Sequence, residues 1–132
     1  MNILCFASDP DRLTLLLKAV SGIRSSDLNL ELYRSIDELY RKLSKPKESS
    51  PIVILYPADK GDLQVILAIR EIFTDTKVIL VLPDRDKDSI KAAHKIGLRF
   101  LAFADEDPAI ITMIAEKMCG FCSSKTMQGV VS

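Results

Sequence analysis

No apolar run in this chain approaches the roughly 20 residues that span a bilayer, so no membrane-spanning helix is expected. There is no surplus of either charge: lysine plus arginine and aspartate plus glutamate stand at 18 each. That balance argues against a nucleic-acid or membrane-surface role resting on bulk electrostatics. The cysteines number three, an odd count that makes no disulfide framework and points to a reducing cytoplasm. The start, MNILCFASDPDR, has no basic segment ahead of its apolar one and reads as a strand entering a turn, not as a signal peptide. Histidine occurs once, at His94 between Ala93 and Lys95, without an acid or nucleophile to work with, and is read as a surface residue. Glycine and proline are scarce too, at five and six, as in an ordinary globular domain.

What is present is a strong alternation of short apolar runs with amphipathic stretches. The 132 residues suffice for one core and not for two ordinary domains. The pattern centres on Pro51 to Asp59 (PIVILYPAD), where Ile52, Val53, Ile54 and Leu55 form an unbroken, β-branched run closed by Tyr56 and Pro57. A run without polar alternation suits a central strand covered on both faces. Asn2 to Ala7, Leu28 to Tyr33, Lys77 to Leu82 and Arg99 to Ala104 complete the expected strands. Helices are expected between them. The first carries Leu13, Leu16, Leu17 and Val20, with Asp9 as its N-cap and Pro10 in its first turn. The second carries Ile36, Leu39, Tyr40 and Leu43; the third, capped by Asp62, runs from Leu63 to about Thr74. The fourth spans Ser89 to Ile96 and stops at Gly97, and the last spans Ala109 to about Met118 behind Asp107 and Pro108. Lys45 to Ser50 reads as a solvated loop. We place one domain at residues 1–120 and a flexible tail or linker stub at 121–132. Five β-α units with short connections predict a parallel sheet between two helical layers, with right-handed crossovers.

This spacing resembles the receiver domains of two-component response regulators, over Met1 to about Met118. The resemblance implies a flavodoxin-like three-layer α/β sandwich with strand order 2-1-3-4-5. It also implies a phosphoryl-accepting edge, whose residues are replaced here. Receivers place an acidic pair after strand one to hold Mg²⁺, where this chain has Ala7 and Ser8. Their phosphoacceptor aspartate closes strand three, where this chain has Tyr56. Their Thr or Ser closes strand four, here Leu82, and their lysine closes strand five, here Phe103 or Ala104. Phosphoryl transfer rests on positioning and charge neutralisation, and these side chains supply neither. No metal and no cofactor is expected, and Tyr56 is expected to fill the vestigial site. The implied function is a phosphorylation-independent, non-enzymatic regulatory or interaction module.

Four other features carry expectations. The aspartates at the carboxyl ends of strands, Asp9, Asp11, Asp59, Asp62, Asp84, Asp86, Asp105 and Asp107, are read as helix caps in preference to a displaced cation site. Cys5 followed by Arg12 is similar to the phosphate loops of low-molecular-weight phosphatases and phosphotransferase IIB domains. Six residues separate the two, the loop has no glycine, and Cys5 falls mid-strand. A phosphate-handling enzyme using Cys5 is therefore the alternative function. Cys119 and Cys122 make a CxxC pair at a helix C-terminus, the wrong end for a thioredoxin-like thiol, and a zinc half-site at most. A thiol or metal protein using that pair is the third reading. The last helix carries more apolar residues than one sheet contact needs. A contact face on helix 4, strand 5 and helix 5 is therefore expected, using Phe100, Ile110 and Met113 toward a protein partner or a second copy.

Overall fold

The computed structural model of the chain describes residues 2–23, 29–45, 51–74, 76–107 and 109–118. Its strands are β1 (Asn2–Ala7), β2 (Asn29–Tyr33), β3 (Ile52–Tyr56), β4 (Lys77–Leu82) and β5 (Phe100–Phe103). Its helices are α1 (Pro10–Ser21), α2 (Ile36–Leu43), α3 (Lys60–Ala68), α4 (Lys87–Lys95) and α5 (Ala109–Met118). The strands form one parallel sheet in the order β2-β1-β3-β4-β5.

Two cores flank the sheet, and the strand alternation sorts residues between them. Ile3, Cys5, Ala7, Ile52, Ile54, Tyr56, Ile79 and Val81 face α1 and α5. Leu4, Phe6, Val53, Leu55, Val78, Leu80 and Leu82 face α2, α3 and α4. Because both faces are covered, β3 and β4 need apolar residues at every position, which explains their unbroken runs. Thr112 of α5 fixes the first helical layer by donating from its hydroxyl to the Ala19 carbonyl of α1 at 2.5 Å.

Several boundaries depart from the sequence reading. The third helix is capped by Asp59, not Asp62: the Asp59 carboxylate accepts from the Asp62 N–H at 2.9 Å. Asp62 instead accepts from the Ala58 N–H at 3.0 Å, one residue before the cap. That helix also does not run on to Thr74. At Ile69 the backbone N–H is shared between the Val65 and Ile66 carbonyls, and the chain tightens into a 3₁₀ turn over Arg70–Phe73. The tightening turns Phe73 into the second core, which a continuous helix with apolar residues on all sides would not have singled out. The fourth helix starts earlier, at Lys87, behind Asp86. Gly97, with φ of 79°, ends it as expected. The segments 24–28, 46–50 and 119–132 lie outside the described residues, and so do Pro108 and the Cys119–Cys122 pair. Among the described residues no helix is long and apolar enough to cross a membrane.

Candidate functional site

The carboxyl ends of the strands and the loops that follow them form one edge of the sheet. In register there, Ala7 lies beside Tyr56, and Leu82 lies beside Phe103. The sequence-expected positions are thus brought to one edge, but only Tyr56, Phe103 and Ala104 of them to one pocket. Ala7 and Tyr56 face the α1/α5 layer, whereas Leu82 and Phe103 pack on the α2/α3/α4 side. Tyr56 is buried, 6% exposed, in the first core. With Phe103, Ala104, Leu15 and Ile110 it lines a cavity of about 30 Å³, room for a water molecule or two. Ala7, Ser8 and Leu82 do not line it. Of the expected contact residues, Phe100 and Ile110 are half-buried and Met113 is exposed.

Two side chains have roles here other than those the sequence reading gave them. Arg12, one turn into α1, brings its guanidinium to 5.5 Å from the centre of the Tyr56 ring and pairs with the Asp9 carboxylate. The edge therefore does hold a cation, supplied by the protein. The Asp9–Arg12 spacing of three residues, on a helix start, was the available signal. Asp62 is the second: it accepts the Ser8 hydroxyl at 2.6 Å, tying the β1–α1 loop to the start of α3.

The remaining loop aspartates divide into caps and ion pairs. Asp9, Asp59 and Asp107 accept from the backbone N–H groups of Asp11, Asp62 and Ala109, as caps should. Asp86 precedes α4 but makes no side-chain cap bond; its carboxylate meets Lys60 Nζ at 2.5 Å. That hydrogen-bonded contact raises the Lys60 pKa and lowers that of Asp86. Asp105 receives the Arg85 guanidinium at 3.0 and 3.3 Å, and Arg85 stacks 4.1 Å from the centre of the Phe103 ring.

Cys5 lies in mid-strand, between Leu32 and Ile54 in register, and is fully buried. Burial pushes its thiol pKa up to about 12, which leaves a protonated, inert group at neutral pH. Arg12, the other half of the phosphate-loop pattern, is committed to Asp9.

No family profile and no curated protein sequence matches the chain. Solved structures do. A response regulator from Thermotoga maritima aligns with a TM-score of 0.65 at 19% identity, covering 89% of this chain and 95% of that one. The CheY-like protein tadZ from Pseudomonas aeruginosa aligns at 0.67 and 15% identity, covering 89% and 98%. The pilus assembly protein CpaE from Caulobacter crescentus aligns at 0.64 and 16% identity, again covering 89% and 98%. The fold is that of a response-regulator receiver.

A receiver fold implies a divalent cation at this edge, and the donor set does not fit one. Mg²⁺ takes carboxylate and water oxygens in near-octahedral geometry. Here Ala7 and Tyr56, which close β1 and β3, carry no carboxylate, and the Ser8 hydroxyl is donated to Asp62. Among the described residues no group of three His, Cys, Asp or Glu side chains is placed to hold a metal. The receiver fold is present with its edge paired internally, by Arg12, Lys60 and Arg85 against Asp9, Asp86 and Asp105.

Proposed function

We propose that this chain is a phosphorylation-independent receiver module, a regulatory or interaction domain in signal transduction with no catalysis of its own. The observation that carries this reading is Tyr56. A buried aromatic ring closes β3 where a receiver presents its acceptor carboxylate, and it offers no oxygen that could accept and hold a phosphoryl group as a carboxylate does. The inert Cys5 and the committed Arg12 weigh against the phosphate-handling enzyme. Output then rests on contact with a protein partner or a second copy through α4, β5 and α5. Met113, 56% exposed on α5, is the leading contact residue, flanked by Phe100 and Ile110. Receiver folds among pilus assembly proteins such as CpaE support a module that works by assembly.

The test is treatment with acetyl phosphate and Mg²⁺, read by intact-mass spectrometry. The chain should remain unmodified. A stoichiometric, base-labile adduct of about 80 Da, one phosphoryl group, overturns the reading.

A further inference from the structure

Charge is segregated along this molecule far more sharply than its zero net charge suggests. Among the described residues, every acidic side chain except Glu31, Glu71 and Glu116 lies in the loops and first helical turns of the carboxyl edge. At the opposite edge, where the strands begin and the helices end, cations dominate. Each placement suits its own helix, since carboxylates favour helix N-termini and cations favour C-termini. A parallel α/β topology then gathers all those termini at two opposite ends, and the described residues sum to one acidic end and one basic end.

The basic end has a shaped feature. An open groove of about 610 Å³ is lined by Lys77, Arg99, Phe100, Ile114, Lys117 and Met118. Lys77 donates to the Met118 carbonyl at 3.0 Å. Arg99 and Lys117 are exposed and form no ion pair with any described residue. Phe100, Ile114 and Met118 supply a half-buried apolar floor between these cations. At the other end of the same β4–β5–α5 column, the loop before α4 and its first turn present Asp84 and Asp88, both exposed and neither in an ion pair.

We propose that copies of this chain associate head to tail along that column. The Lys77–Arg99–Lys117 groove of one copy receives the Asp84–Asp88 segment of the next. The two surfaces sit at opposite ends of β4, so the contact is heterologous and grows an open chain in preference to closing as a two-fold dimer. Zero net charge removes the global repulsion that would oppose such growth. The groove shares Phe100 with the α5-face contact but neither Met113 nor Ile110, and its charged residues Lys77, Arg99 and Lys117 allow the two to be tested separately.

Sedimentation velocity at low and high salt, over a wide concentration range, tests it. The wild-type weight-average mass should rise past dimer with concentration at low salt. It should fall back toward monomer in 1 M salt, where the screening length shrinks to about 3 Å. Arg99→Glu with Lys117→Glu, and separately Asp84→Lys with Asp88→Lys, should each weaken association by about a hundredfold. Mixing the two variants should restore it, because each then meets an opposite charge at both ends. All four positions are exposed, so circular dichroism should be unchanged; should either charge reversal unfold the chain, Arg99→Gln with Lys117→Gln replaces it. A wild type that is monomeric throughout, an assembly that stops at two, or an association indifferent to salt and to these substitutions overturns the proposal. Association lost on Met113→Glu but insensitive to Arg99 and Lys117 assigns the contact to the α5 face instead.

Discussion

Replacing Tyr56 by alanine should be costly, and the structure says how costly and why. A tyrosine buries on the order of 150–250 Å². At about 25 cal/mol per Å², discounted for burial already present in the unfolded chain, the loss is about 2–4 kcal/mol. The site adjoins a cavity of about 30 Å³, so the vacated volume enlarges an existing void and puts Tyr56→Ala toward the upper part of that range. The hydroxyl makes no hydrogen bond to a described residue, and Arg12 lies over the ring, not over the oxygen. Tyr56→Phe should therefore stay within about 0.5 kcal/mol of wild type, as the ring and its cation contact are kept. Tyr56→Asp should also destabilise. It loses the ring and buries a carboxylate beside an Arg12 already engaged by Asp9, so the offset is only partial. Urea melts decide the matter: the midpoint should drop by roughly 1–2 M for Ala and Asp, with an unchanged slope, and should not move for Phe. If Ala and Asp both melt with wild type, the ring is not filling this edge. If Phe costs as much as Ala, the hydroxyl is doing the holding and the packing account fails.

Cys5 should resist iodoacetamide in the native protein at pH 8 and label only on unfolding, because a thiol with pKa near 12 is thiolate at about one part in ten thousand; rapid native labelling at the Cys5 peptide would revive the enzyme reading. The same burial makes stability fall as pH rises from about 9 toward 12. Above 9 the unfolded thiol gives up its proton while the folded one keeps it, a loss of up to about 1.4 kcal/mol per pH unit. Cys5→Ala should lack that component of the slope, as comparative urea melts across this range will show. Met113→Glu should leave circular dichroism unchanged, since the side chain is 56% exposed, and should weaken any contact made through the α5 face; a variant that unfolds would return Met113 to the core.

The parallel sheet between two helical layers was legible because double burial leaves a signature that survives any loop; the strand order came with the resemblance to receivers. Ile52 to Leu55 and Val78 to Leu82 are apolar at every position for one reason, burial on both faces. Caps followed by proline were legible on the same footing, and Asp9–Pro10 starts α1 as its chemistry dictates. Asp62 was misjudged because two aspartates three residues apart both satisfy the local rule for a cap. Only the tertiary partner, the Ser8 hydroxyl 54 residues away, shows which of them looks outward. The break at Ile69 was illegible for a related reason: the apolar residues from Leu63 to Phe73 fit a helix on any face, and the demand for Phe73 in the core selects the 3₁₀ turn. At the edge, the apolar or aromatic character of Ala7, Tyr56 and Leu82 could be read directly. The arrival of Arg12 could not, because a helical arginine three residues from an aspartate is commonplace and its approach to Tyr56 depends on how α1 sits over β3.

That arrival changes what the missing acids mean. In a receiver fold an unpaired acidic edge is available to a metal and a phosphoryl group, and both would rearrange the loops around them. Here the loops are tied to one another by side chains. Ser8 to Asp62 joins the β1–α1 loop to α3, Lys60 to Asp86 joins α3 to the loop before α4, and Arg85 to Asp105 joins that loop to the one before α5. The ion pairs are exposed and individually weak. Their importance is that they form a continuous chain across the edge and consume the charges a switch would use. Asp9 is taken by Arg12 and Asp86 by Lys60, and the Tyr56 ring occupies the space between the layers. The Asp9, Asp86 and Asp105 carboxylates at this edge are thus engaged by cations of the protein itself. On the reading proposed above, the α4, β5 and α5 surfaces are offered in one arrangement, and regulation comes from the abundance, location or state of whatever binds there.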